Sequence, residues 1–312
     1  MARIYAGEWA PEYGSPMQIE DDVQGEAVLF EHETLQAVPC PEPSVRPRLA
    51  FVDGVRHVEA SLWYADDPSS EPIPGLAGVV AAGAVTPDGA GRLSVSEVVV
   101  KRLAIFGGGR SASLPEQPGG WSWVALATEN TTLDAPQLEL QRRMREQEML
   151  LAERLAGAGH IVVLDGPLSQ VRGLAYPVVG YVKTHHRRLL PSEAHDLVST
   201  LRGGERSSLF TVSQRHSCYF RLLDPGPDRH PWYGIVRLEV PGDLGREESR
   251  SLVQATCGVL PRYAGVAHVD PRAPQNLQPV AALERELRRR CGDRALGLRA
   301  ARAAVRQLVE VR

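Results

Sequence analysis

Two short apolar runs, LAFVDG at residues 49–54 and IVVLDG at residues 161–166, close on the same Asp-Gly pair. Runs rich in Val, Ile and Leu that are cut off by Asp-Gly read as buried strands stopped by a turn. Each run therefore brings a carboxylate, Asp53 or Asp165, to the tip of a buried strand, where loss of hydration calls for a counter-charge or a metal ion. A single Asp-Gly marks no more than a turn, as expected at Asp88-Gly89. Its repetition on two strands makes the pair a candidate site.

The rest of the chain gives these strands a setting. Residues 1–47 mix Pro, Gly and acidic side chains, with an apolar patch at 27–30 that suits a short helix or strand, and are expected to form an N-terminal arm. Residues 48–312 are expected to form one domain with a C-terminal helical extension. The pattern predicts strands at 55–65, 75–86 and 94–108, then a loop over 111–121. A helix follows from Asp134 as N-cap, with Pro136 in its first turn, to Leu155, and Gly157 and Gly159 end it. The second Asp strand comes next, then a strand at 177–186. Further strands are expected near 207–214, 217–223, 232–240 and 263–270, with helices at 247–260 and over the last 35 or so residues. Strands, a helix, then a strand with an acidic tip is the order of a ribonuclease-H-like core: an α/β fold with a mixed central sheet flanked by helices.

The 312 residues are 43% hydrophobic, enough for a substantial core, and carry a formal net charge of -3. With a pI near 6.3 there is no overall basic field, so any nucleic-acid contact must rest on a local basic patch. The four cysteines form no CxxC pair, which argues against a zinc knuckle or a disulfide framework and fits a reducing cytoplasm. No run of about 18 apolar residues occurs, and neither export nor membrane insertion is expected.

A third carboxylate should come from the helix. Met144, Leu151 and Leu155 form an inward stripe, and Glu148 falls on it. Glu146 and Glu153 sit among Arg142, Arg143 and Arg154, which suits a solvated face. Glu97 and Glu146 remain alternatives to Glu148. Three carboxylates suit phosphodiester hydrolysis, in which two divalent ions about 4 Å apart share the substrate, and hard oxygen ligands select Mn²⁺ or Mg²⁺. Lys183, in GYVKTHHRR, should lie near the same end of the sheet and stabilise charge on a phosphate. His185, His186, Arg187 and Arg188 extend it into the densest basic run. Asp270 is a candidate fourth metal ligand, with Asn276 or His268 beside substrate. Tyr181, Tyr219, Tyr233 and the tryptophans could stack on bases, with core packing as the default. FGGGR at 106–110 lacks P-loop spacing, and no GxSxG occurs.

At FVDGVR, RMREQEMLLAERL, VVLDGPL and VGYVKTHH, in that order, the chain resembles the NurA family of DNA-end-processing nucleases, and more loosely so through DPRAPQNL. The resemblance implies a Mn²⁺-preferring nuclease with 5′-to-3′ exonuclease and single-strand endonuclease activity. It also implies a homodimer working with a HerA-type hexameric ATPase in double-strand-break end resection. Members often carry a C-terminal histidine near the site. Here PVAALERELRR has none, leaving His268 or Asp270 as substitutes. Two rival readings are a non-catalytic DNA-binding subunit and another ribonuclease-H-like enzyme, an RNase or a resolvase.

Overall fold

The computed structural model describes residues 3–6, 26–67, 69–88, 91–168, 177–185, 188–226 and 229–310. Its core begins with three long strands, β4 (Leu49–Ala65), β5 (Ile73–Pro87) and β6 (Leu93–Phe106), which follow the short β1 (Arg3–Ala6), β2 (Val28–Leu29) and β3 (Ala37–Pro39). After β7 (Val124–Ala127), helix α1 (Ala135–Gly157) leads into β8 (Ile161–Asp165) and β9 (Val178–Val182). A short helix α2 (Ser192–Thr200) precedes β10 (Glu205–Ser207), β11 (Phe210–Val212), β12 (Arg215–Arg221) and β13 (Ile235–Pro241). Helices α3 (Arg246–Cys257), α4 (Gln278–Cys291) and α5 (Arg294–Glu310) complete the chain.

Among the described residues thirteen strands join one mixed sheet, ordered β2-β11-β12-β13-β9-β8-β4-β5-β6-β7 along its main path. At its centre β4, β8 and β9 run parallel while β5 runs antiparallel to β4 and β6. This is the mixed α/β arrangement expected from the order of elements, with β6-β5-β4-β8-β9 as the ribonuclease-H-like core. Alternation along the strands supplies two buried faces. Ala50, Val52, Val162 and Leu164 pack under Leu151, Ala152 and Leu155 of α1. Phe51, Val163, Val179 and Tyr181 face the other way, into a cluster with Val253 of α3 and Leu283 and Leu287 of α4. Strands buried on both faces read as continuous apolar runs, which makes them legible along the chain.

Two sequence expectations change. Asp53-Gly54 is not a turn: β4 continues through it, with Asp53 opposite Gly83 and Gly54 opposite Ala82 on β5, so the expected first two strands are one. A neighbouring strand that offers a full ladder overrides the local turn preference of Asp-Gly. Residues 263–270 form no last strand: Tyr263 ends a 3-10 helix, Leu260–Tyr263, a turn follows at 267–269, and Val266 and Val269 are exposed, so no sheet edge claims them. The patch at 27–30 contributes β2, paired with β11, and Glu31 just after it meets Arg206 in a buried two-pronged ion pair.

Candidate metal and nucleic-acid site

The parallel register between β4 and β8 pairs Phe51 with Val163 and Val52 with Leu164. One step further along both strands are Asp53 and Asp165. Their side chains share a face by alternation, the face of Phe51 and Val163. On β9, Tyr181 pairs with Asp165, and Lys183, two residues on, returns to that same face. Its ammonium Nζ donates to Asp165 Oδ2 at 2.7 Å and to Asn276 Oδ1 at 3.2 Å. Asn276 in turn donates to Asp270. Tyr181 is fully buried and its hydroxyl donates to the Gln275 carbonyl at 2.6 Å, which ties the segment before α4 to the sheet.

Glu148 approaches from α1, on the opposite layer. It is completely buried, in line with Met144, Leu151 and Leu155. Gly54 makes room for it, since a Cβ there would stand 2.7 Å from Glu148 Oε1. Arg145, one turn back, donates to Glu148 Oε2 at 2.8 Å and to the Asp165 carbonyl at 3.1 Å, so one guanidinium joins the helix to the tip of β8. The loop leaving Asp165 is anchored at Leu168, whose amide donates to Glu239 Oε2 at 3.0 Å. Glu239 is itself held by Arg215 and Arg237.

These groups line a cavity of about 240 Å³ that includes Asp53, Glu148, Asp165, Tyr181 and Lys183. Burial, and then the negative charges of Asp165 and Glu148, hold the Asp53 carboxyl well above the usual carboxylate range, although the Gly54 amide donates to Oδ1 at 2.8 Å. Burial also raises Glu148, against the opposing pull of Arg145. Buried Glu148 Oε1 and Asp165 Oδ1 have no hydrogen-bond donor. A like-charged group with orphaned oxygens is short of positive charge, which a divalent cation would supply. The all-oxygen donor set fits Mg²⁺ or Mn²⁺. Among the described residues no group of three His, Cys, Asp or Glu side chains is placed to hold a metal ion as it stands; Arg145 and Lys183 each occupy one of the carboxylate oxygens.

Sequence comparison decides the family: the model of the family described as the NurA domain matches residues 47–289. The chain belongs to the NurA domain family. Among curated proteins none is a significant match. Among solved structures the chain is similar to the NurA nuclease from Sulfolobus solfataricus, at 12% identity and a TM-score of 0.49, over 83% of this chain and 85% of that one.

Within the NurA domain, the residues singled out in the sequence fall into two groups. Asp53, Glu148, Asp165 and Lys183 converge on the cavity, and Asn276 and Asp270 stand behind Lys183. Asn276 is buried, so it holds Lys183 rather than offering a free amide to a strand of nucleic acid. Asp270 is occupied by Asn276, the Arg272 amide and the Arg272 guanidinium, which hold its carboxyl below the usual range. Glu97 pairs with Arg154, and Glu146 with Arg142 and Arg143; neither lines the cavity. His185 does not extend an exposed basic run, because its ring packs between Tyr219 and Trp232 and its Nε2 meets the Ile235 carbonyl. Arg188 is exposed, His268 is exposed, and His186 and Arg187 lie outside the described residues. Tyr219 is a core side chain. Arg145 was not anticipated, since in the sequence it is one arginine among several on a charged helix.

Proposed function

We propose that the protein is a metal-dependent nuclease acting on DNA, with Asp53, Glu148 and Asp165 holding divalent cations and Lys183 contacting the phosphate. One observation carries this reading: three carboxylates line a single cavity whose charge is only partly balanced, and two of their oxygens are buried without a hydrogen-bond partner. Cations bound there would supply Lewis-acid chemistry for phosphodiester hydrolysis. The chain's own groups prepare for it. Asp53 and Asp165 are fixed by the rigid register of β4 and β8, and Arg145 braces Glu148 against the end of β8. Lys183 sits where it can move from Asp165 to a phosphate oxygen once cations satisfy that carboxylate. Asn276 keeps its ammonium aimed at the cavity.

Membership of the NurA domain family supports the finer reading: 5′-to-3′ exonuclease and single-strand endonuclease activity, a preference for Mn²⁺, and a cytoplasmic homodimer that works with a HerA-type hexameric ATPase in double-strand-break end resection. The structure contains no helix long and apolar enough to cross a membrane among its described residues.

The deciding assay follows cleavage of labelled single-stranded DNA, duplex DNA and RNA in Mn²⁺, Mg²⁺ or EDTA. Wild-type protein should cut DNA only with a divalent ion, and Asp53→Asn and Asp165→Asn should each lower cleavage by a factor of about 100 or more, a scale typical of removing a charge-stabilising catalytic group. Cleavage in EDTA, or full activity in both variants, would defeat the proposal. Cutting of RNA alone would favour a ribonuclease, and DNA binding without cutting a non-catalytic subunit.

A further inference from the structure

Strand β4 pairs with β8 only as far as Val52 and meets β1 again only from Leu62, so among the described residues positions 53–61 have no strand neighbour on that side. The carboxylate cavity opens at the start of this bare edge. A second cavity, of about 230 Å³, continues along it and shares Gly54 and Met144 with the first.

The two differ in sign. The second is lined by Arg56, His57, Arg288 and Arg294 against one carboxylate, Glu284. Arg56 and His57 come from β4, Arg288 from the last turn of α4, and Arg294 from the first turn of α5. Glu284 accepts from Arg288 at 2.7 Å and from Arg272 at 3.3 Å, so it is already neutralised. His57 is 8% exposed and its Nε2 has no hydrogen-bond partner. Burial and the nearby Arg294, Arg102 and Arg288 push its pKa down to about 4, so at neutral pH the ring is an uncharged polar group in a pocket of cations. Guanidinium groups carry five donors each and match the geometry of phosphate oxygens, even while one edge is engaged elsewhere.

We propose that this basic pocket binds a phosphate of the same nucleic-acid strand whose scissile phosphate lies at the carboxylates. The proposal rests on the nuclease reading and adds the grip that reading lacks: an acidic cavity repels a polyanion, whereas a cationic pocket beside it holds the strand and sets its direction across the site. At a strand rise of about 3.3 Å per residue, His57 lies roughly 13 Å along β4 from Asp53, a span of neighbouring nucleotides. Free phosphate and mononucleotides share the recognising chemistry, so the test separates them from a strand.

Arg288 and Arg294 are exposed, so Arg288→Gln/Arg294→Gln should fold, which a urea midpoint checks. Binding of a labelled single strand is measured by anisotropy in EDTA over a series of salt concentrations. A control variant, Arg46→Gln/Arg92→Gln, removes two exposed, ion-paired arginines elsewhere. The pocket variant should bind about tenfold more weakly, and its log–log salt slope should flatten by about 0.7 for each phosphate that the pocket no longer neutralises; the control should match wild type. Unchanged affinity and slope, or an equal weakening in the control, would overturn the proposal. So would a weakening confined to thymidine monophosphate or inorganic phosphate with strand binding intact. Cleavage is silent in EDTA, so the nuclease reading fails or stands separately, through Asp53→Asn and Asp165→Asn in metal.

Discussion

Gly54 lies between two demands, an extended strand and a buried glutamate. A Cβ at this position would also stand 2.8 Å from Met144 Cγ, so Gly54→Ala must push either Met144 or Glu148 aside. Overpacking of this kind costs about 1–3 kcal/mol. We expect that destabilisation in urea unfolding, together with lower cleavage, because displaced Glu148 is one of the three carboxylates. Asp53 gives a prediction in pH. Its folded-state pKa is raised by burial, Asp165 and Glu148, so the fold binds a proton that the unfolded chain has already released. Metal-free stability therefore falls as pH rises from the ordinary carboxylate pKa to the raised one, and the whole penalty is present above that. Asp53→Asn, which mimics the protonated form, should be more stable than wild type at neutral pH without metal. The difference should shrink as the pH is lowered towards the ordinary value. An unfolding series that finds the variant less stable throughout the range would contradict this electrostatic account.

Helix α1 presents one face to three different tasks. Leu140 and Met144 pack near Val58 and Leu103, Glu148 enters the cavity, and Leu151 and Leu155 cover Val52 and Leu164. Its start lacks a side-chain cap, since Asp134 makes no capping bond, so the helix depends on packing to hold its place. Leu151→Ala should cost about 2–5 kcal/mol, the usual range for emptying a buried leucine site. Because Glu148 lies one turn away, cleavage should fall as well, with strand binding at the basic pocket little changed. Measuring stability and both functions on the same variant checks this separation. Strand β4 is the matching element on the sheet. Its β-bulge sets Val58 opposite Gly78 and Ala60 opposite Ala77, leaving Glu59 as the extra residue. Glu59 is buried and accepts from Trp123 at 2.7 Å and Arg102 at 3.1 Å, so the bulge is held by a polar anchor beside α5.

For the whole molecule, the proposed metal site would couple cation binding to folding. Cations that bind the native cavity and not the unfolded chain stabilise by mass action. Mg²⁺ or Mn²⁺ at millimolar concentration should therefore raise the Tm of the wild type by several degrees, the shift that one or two kcal/mol produces in a domain of this size. Asp165→Asn should show much less, and an equal rise in both would place the bound metal elsewhere. The four cysteines are all free and buried, so this measurement needs no control of disulfide state.

Periodicity and composition were enough to read the apolar strands, the helix carrying Glu148 on its inward stripe, and the order that makes a mixed sheet flanked by helices. Those features are local: they depend on which residues recur at a spacing of two or near 3.6. The same spacing could not choose between Glu148, Glu97 and Glu146, because burial on one helix face is decided by what packs against it. Nor could it tell that Asp53-Gly54 continues a strand, that residues 263–270 make no strand pairing, or that the His185 ring packs against Tyr219 and Trp232. Each of those outcomes is set by neighbours distant in sequence. The pairing of arginines from β4, α4 and α5 around His57 is likewise invisible along the chain, since charges converge only once the sheet and its helices have brought them together.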